Sequence, residues 1–449
     1  MAQAKKLDTA YLKAQDPEQH ASLAIGAVAI VDGPVPGFEL LKDLLAERFR
    51  SIPRCTQLLR AQNLEWIDYR ELDVARHVRR VAIPRPGDDT QLSQAIALAL
   101  ERPLDLNRPP WECWVIEGLK GNRWAILMKT HHDVAAGNSA AHLLARLCDD
   151  ANDDAFTKGV GAEHVSPESR RGWVDALGRA VALAGTVAGA MWPAERLTVD
   201  SVMRRYVTLR VPAADVDRVC RKFGVTVNDV ALAAITEGFR GVLLRRGEEP
   251  RADSLRTLVP LFGQAVRSAM LPYLPVEHED PVQQLRTVHN RWKAQKVQQA
   301  GRRQPGVVES ALSCLPATLR GNVLQLLARL PHAGIVTLGT HTPGPRHRLR
   351  LMGQTIERLL PIPPTAVRLS TGVAVLSYRD DVVFGITAEY DAAADVKQLV
   401  AGIELGMARM VALSQDSVLL FGKDHRRRRT VRRHPSQAQR AHPSAPARH

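Results

Sequence analysis

The sequence predicts an α/β (α+β) protein built from two halves, and three observations point to it. Strand-like and helix-like segments alternate along almost the whole chain. At 449 residues the chain is long enough for two or three domains, each with a sizeable core. A polar stretch at Asp149–Pro167 opens with four acids in six residues, then loses periodicity and divides the chain. Hydrophobic residues at 45% and charged residues at 24% give the balance of a soluble globular protein. That balance excludes a disordered chain, a collagen-like fibre and a polytopic membrane protein.

Met1 to His20 is polar and lacks the apolar core of a secretory signal. Ser22–Val31 then reads as a strand, and Phe38–Ser51 and Gln91–Glu101 read as helices. Trp111–Ile116 is a further strand. Trp124–Met128 is another, an unbroken apolar run of the kind buried on both faces. A helix follows at Ser139–Leu147. The most apolar segment, Ala180–Trp192, contains Gly185 and Gly189 and is shorter than the roughly 20 residues that span a bilayer. It reads as an interior inter-domain helix or as one lying on a lipid surface.

The second half opens with a strand at Tyr206–Val211 and a helix from Ala213. A longer helix runs from Val227 to about Arg246, with Leu232, Ile235, Phe239, Val242 and Leu243 as its buried stripe. Strands at Ile335–Gly339, Val373–Tyr378 and Val382–Ala388 precede a last helix from about Ala394 to Ala412. After Gly422 the chain becomes Arg, His, Pro, Ser and Ala without periodicity, which predicts a disordered basic tail. The expected domains are therefore residues 1–150, a linker and apolar helix at 151–203, residues 204–420, and the tail at 421–449.

Of the net charge of +14, the stretch Lys423–His449 carries +8, from nine Lys or Arg and one acid. The body of the chain is thus only mildly basic, and its 49 Arg against 12 Lys suit a GC-rich genome rather than a nucleic-acid partner. The tail has no aromatic residue for base stacking, so no nucleic acid is expected. It reads as a solvated tail, or as a tether to an anionic membrane or lipid-inclusion surface at about 1 kcal/mol per basic residue. Five scattered cysteines without a CxxC pair argue against a disulfide scaffold and suit a cytoplasmic protein.

Chemistry is most concentrated at Lys129-Thr130-His131-His132-Asp133-Val134-Ala135-Ala136-Gly137. A buried strand ends there and a helix begins soon after, so a side chain at the junction can face a cleft while rigid elements hold it. An imidazole, with a pKa near 6.5, suits general-base work at such a place. Among 15 histidines an adjacent pair also arises readily by chance, so a structural pair is the rival reading. Zinc held by His131, His132 and His142 is a poorer assignment, since the ligand spacing is not standard, and no metal is expected.

Other segments stand around this one in order. They are Arg102-Pro103-Leu104-Asp105, Arg108-Pro109-Pro110-Trp111-Glu112, Val115–Leu119, Asn228–Ala233, Leu255–Pro260, Thr342-Pro343-Gly344-Pro345 and Val375-Leu376-Ser377-Tyr378. Together with the histidine pair they resemble the bacterial wax ester synthase/diacylglycerol acyltransferase family, from about Leu7 to Met410. The resemblance implies the two-domain fold of coenzyme A-dependent acyltransferases, with an inter-domain channel. It implies His132 as general base, taking the proton of a diacylglycerol or long-chain alcohol hydroxyl that then attacks an acyl-CoA thioester. His131, Gly137, Asn228 and Asp229 would be supporting residues of the site. Acyl-CoA would be a co-substrate, with no bound cofactor, and contact with a membrane or lipid-inclusion surface would be peripheral.

The sequence departs from the family pattern at several points. Ala136 stands where the family has an Asp that is thought to orient the histidine loop. Pro110 replaces the Leu of Pro-Leu-Trp, and His341-Thr342 replaces the Asn-Val of Asn-Val-Pro-Gly-Pro. A Gly-Asn expected after Val259-Pro260 is missing, and Gly372 and Ala374 replace an Asn and a Thr. The loss at Ala136 keeps a lipid- or acyl-CoA-binding paralogue of weak activity as an alternative, beside a condensation-type module that uses carrier-bound thioesters.

Three plainer readings accompany these. Thr226 can cap its helix with Asp229 as partner, whether or not Asn228-Asp229 lines the site. Trp111 and Trp114 belong to the core more readily than to a ligand platform. Pro343-Gly344-Pro345 is first of all a rigid turn.

Overall fold

Strands that are apolar on both faces and helices with an apolar side can bury their surfaces only by stacking in layers, and two sheets do so here. The structure, a computed structural model, describes residues 24–60, 65–69, 72–105, 107–131, 134, 139–149, 203–258, 273–301, 335–338, 341–345, 347–365 and 371–415. In chain order the described elements are β1 (Ala24–Asp32), α1 (Phe38–Arg50), β2 (Gln57–Arg60), β3 (Glu65–Asp68), β4 (Val78–Gly87), α2 (Asp89–Glu101), β5 (Trp111–Leu119), β6 (Arg123–His131) and α3 (Ala140–Arg146). Then come β7 (Arg204–Pro212), α4 (Ala213–Phe223), α5 (Val227–Arg245), β8 (Arg256–Leu258), α6 (Pro281–Gly301), β9 (Ile335–Leu338), β10 (Arg350–Leu351), β11 (Gln354–Thr365), β12 (Thr371–Tyr378), β13 (Asp381–Glu389) and α7 (Ala393–Gln415).

The first sheet has the order β10-β11-β1-β6-β5-β4, the second β7-β13-β12-β9-β8, and β2 and β3 form a separate hairpin. Alternation along β1 decides what each face meets. Ile25, Ala27, Ala29 and Val31 join a core with Leu41, Leu45 and Phe49 of α1, while Val28 and Ile30 join one with Leu92 and Ile96 of α2. In β6, Trp124, Ile126 and Met128 follow the first set, and Ala125 and Leu127 the second. Both faces are thus covered, as the apolar run predicts. Trp111 is 1% exposed and stacks on Phe49 at 3.8 Å between ring centroids, so it is a core residue, as is Trp114.

The second sheet packs Val382, Phe384 and Ile386 of β13 against Ile235 and Phe239 of α5 and Leu399 and Ile403 of α7. Its other face supplies Tyr206 and Val383 to the core shared with α2. The Tyr206 hydroxyl donates to the Pro361 carbonyl of β11 at 2.9 Å, and Arg358 of β11 grips Asp89 at the start of α2 at 3.0 and 3.1 Å.

The expected strands and helices all appear within a few residues of their predicted ends, apart from those that the structure does not describe. Residues 180–192, most of the polar stretch after Asp149, and the tail lie outside the described residues. Strands β2, β3, β4, β8, β10 and β11 and helix α6 were not anticipated. Prolines explain the two long omissions: β4 carries Pro84 and Pro86, and β11 carries Pro361, Pro363 and Pro364. β4 is an edge strand, and β11 has only the two-residue β10 on its outer side, so an absent N–H is tolerated in both. Among the described residues no helix is long and apolar enough to cross a membrane.

Candidate functional site

The first histidine of the pair sits where β6 ends. His131 is the last residue of that strand and is 1% exposed. Its amide donates to the Pro110 carbonyl at 2.9 Å, and its carbonyl accepts from the Val134 amide at 3.0 Å. Two residues earlier, Lys129 is fully buried, with Nζ donating to the carbonyls of Ala99, at 2.8 Å, and Arg102 at the C-terminal end of α2. A cation is favoured there, where helix carbonyls lack partners. Burial nevertheless pulls the ammonium down to about 8, with Glu112 opposing the shift. The loop between α2 and β5 is thus pinned to β6 at both ends. His132, Asp133, Ala136 and Gly137 lie outside the described residues. Beyond them Ser139 caps α3, its hydroxyl 2.8 Å from His142 Nδ1, and burial pulls His142 down to about 4.

A second group gathers at the start of α5. Thr226 and Asp229 form the expected capping box, with Asp229 N donating to Thr226 Oγ1 at 3.2 Å and Thr226 N donating to Asp229 Oδ2 at 3.0 Å. Asp229 is 2% exposed, and His289 Nδ1 of α6 donates to the same Oδ2 at 2.9 Å. Asn228 Oδ1 accepts the His341 amide at 3.1 Å. Because that donor can face only the carbonyl oxygen, the amide orientation is fixed, and Nδ2 is buried without a hydrogen-bond partner among the described residues.

His341 Nε2 lies 2.6 Å from Ser377 Oγ of β12, and burial pulls this imidazole down to about 4. Beside it, Thr342 exchanges backbone hydrogen bonds with Val375 and Ser377 at 2.9 and 3.1 Å. Gly344 follows, and a Cβ there would lie 1.7 Å from the Ser377 carbonyl oxygen, so only glycine allows the turn to approach β12.

Three segments far apart in sequence, Asn228-Asp229, His341–Pro345 and Val375–Tyr378, therefore meet at one place. His131 belongs to the other sheet. His289 was missed by sequence reasoning, because it lies 60 residues from Asp229 in a helix without a motif. His341 carried a signal, since it replaces the Asn of a recognisable segment.

Burial pushes the thiols of Cys55 and Cys220 up to about 12, and that of Cys113 higher still, which keeps them protonated at neutral pH. Among the described residues no group of three or more His, Cys, Asp or Glu could hold a metal ion.

Comparison with known proteins gives matches over most of the chain. Residues 5–202 match the wax ester synthase/diacylglycerol acyltransferase catalytic domain, and residues 266–410 match the C-terminal domain of the same family. A Mycobacterium tuberculosis protein named as a diacylglycerol O-acyltransferase is 59% identical over 455 residues, spanning 99% of each chain. The wax ester synthase/diacylglycerol acyltransferase from Marinobacter aquaeolei VT8 shares the fold with a TM-score of 0.62 at 21% identity, over 91% of this chain and 98% of its own. The first condensation domain of the CDA synthetase shares it with a TM-score of 0.54 at 13% identity, over 91% and 95%.

Proposed function

The chain belongs to the wax ester synthase/diacylglycerol acyltransferase family and is an O-acyltransferase of that type, and from this premise we propose that it transfers a long-chain acyl group from coenzyme A to the hydroxyl of a diacylglycerol, and also to long-chain alcohols. The observation that carries the proposal is the meeting of Asn228-Asp229, His341–Pro345 and Val375–Tyr378, three motif segments far apart in sequence that share one corner.

His132 serves as the general base. It takes the acceptor's hydroxyl proton while the oxygen bonds to the thioester carbonyl carbon. The C–S bond then breaks and the coenzyme A sulfur is protonated. Such a base contributes about 10²–10⁴-fold. His131, clamped at the end of β6 by Pro110, fixes where the His132 loop starts. Gly137, Asn228 and Asp229 support the site, and the substrates reach it through a channel between the two halves. The direct transfer needs neither metal nor bound cofactor, and contact with a membrane or lipid inclusion is peripheral. The domain limits 1–150, 151–203, 204–420 and 421–449 are part of the same proposal.

Ala136, in place of the orienting Asp, favours a second reading, a lipid-binding paralogue with weak turnover. Purified protein supplied with radiolabelled palmitoyl-CoA and either dioleoylglycerol or hexadecanol separates the two. Ester formation that is lost in His132→Ala supports the enzyme. Binding of acyl-CoA without ester above background supports the paralogue.

A further inference from the structure

We propose that His289 is a second acid–base residue of the transfer reaction, held for that work by Asp229; this rests on the acyl-transfer reading and deepens it. The Asp229 side chain is 3% exposed and that of His289 is 31% exposed, so the pair is closed at the carboxylate and open at the imidazole. An ionised carboxylate only accepts hydrogen bonds, so the 2.9 Å contact places a proton on Nδ1 and leaves Nε2 to gain or lose one. A buried carboxylate that fixes the orientation of an imidazole is the arrangement by which histidine is made an effective proton carrier.

Position ties this pair to the reaction. Asp229 adjoins Asn228, which holds the His341 backbone, so His289 joins the corner where the three segments meet. It is the residue there that belongs to none of them. The same corner holds Asn228 Nδ2, a buried donor without a partner among the described residues. Native structures seldom leave such a group unpaired unless something else completes it, and an oxygen of the substrate would do so.

The step divides the proton traffic between two histidines. His132 takes the acceptor's hydroxyl proton as the C–O bond forms. As the C–S bond breaks, its electron pair goes to sulfur, which takes the Nε2 proton of the His289 imidazolium. His132 then returns its proton to solvent and His289 regains one, so each turnover balances.

The test uses the full chain, palmitoyl-CoA, and a palmitoyl thioester of p-nitrothiophenol, whose departing thiolate needs no proton. His289→Gln can still donate to Asp229 and so keeps a purely structural contact. We expect His289→Gln to lower kcat about 100-fold with palmitoyl-CoA but less than about fivefold with the activated donor, at an unchanged melting temperature. His132→Ala should fail with both donors. Equal losses of His289→Gln on the two donors, or parental kcat on palmitoyl-CoA, overturn the proposal. If the parent itself transfers nothing, the acyl-transfer reading fails separately. Carbethoxylation of His289 by diethyl pyrocarbonate, read by peptide mass spectrometry, then decides. Blockage by palmitoyl-CoA places substrate at the pair, and its absence removes the proposal.

Discussion

Asp149 and Gly353, 204 residues apart, are joined by a 2.7 Å hydrogen bond from the glycine amide to the aspartate Oδ2. The other carboxylate oxygen accepts from Met352 N at 3.1 Å and Arg48 Nη2 at 2.7 Å, and Asp149 N donates to Arg350 O at 2.7 Å. Met352 and Gly353 both have positive φ, the conformation of a tight hairpin turn. One side chain thus secures the β10–β11 turn from the second half of the chain to α1 in the first.

Burial raises the Asp149 carboxyl, but the Gly353 amide, Arg48 and the Met352 amide outweigh it and hold it below its ordinary value. A depressed carboxyl stabilises the fold above its unfolded pKa, near 3.9, and that contribution is lost as pH falls through the folded value. Urea midpoints should therefore show the parent's advantage over Asp149→Asn shrinking from pH 5 to pH 3. At pH 7, Asp149→Ala should cost about 2 kcal/mol, because two backbone amides lose their acceptor.

Lys129 predicts a second rise of stability with pH, on the alkaline side. Its folded value of about 8 lies below the ordinary lysine value, so the folded state disfavours the charged form. Below pH 8 both states are charged and the penalty is present in full. Between about 8 and 10.4 only the unfolded state holds the proton, and stability rises with pH. Relative to Lys129→Met, the parent should gain on the order of 3 kcal/mol at most across this window, measured by urea denaturation.

His341 and His142 share the acid-side behaviour of buried neutral imidazoles. Both are pulled down to about 4 by burial, so between about pH 6.5 and 4 the unfolded chain binds protons that the folded chain does not. Stability should fall as pH drops through that window, by up to about 3 kcal/mol for each group. His341→Asn removes one of the two contributions, so its acid limb should be shallower than the parent's in thermal melts.

Gly344 and Gly37 form a matched pair of substitutions. Alanine at 344 would put a Cβ 1.7 Å from the Ser377 carbonyl, whereas at 37 nothing lies within 4 Å. Gly344→Ala should therefore cost about 3 kcal/mol or more, and Gly37→Ala less than about 0.5 kcal/mol, by denaturant midpoints.

Much of the fold was legible because it is written locally. The apolar runs of β1, β5 and β6 and the apolar residues of α5 mark elements that are buried along most of their length. The Thr226–Asp229 capping box was legible for the same reason, since both partners lie within one turn. Strands β4 and β11 were hidden by their prolines, which a strand paired along both sides would reject, whereas β4 is an edge strand and β11 has only the two-residue β10 on its outer side.

The sequence by itself determined the alternation of strands and helices, the family, and the motif segments, because each depends on residues a few positions apart. Only the tertiary structure decided that β11 crosses to pair with β1, that Lys129 caps the end of α2, and that His289 meets Asp229. It also set His341 against Ser377 and Asp149 against Gly353. These contacts join residues 30 to more than 300 positions apart. They are chosen by which layers can bury their apolar faces together, and no local pattern records that choice.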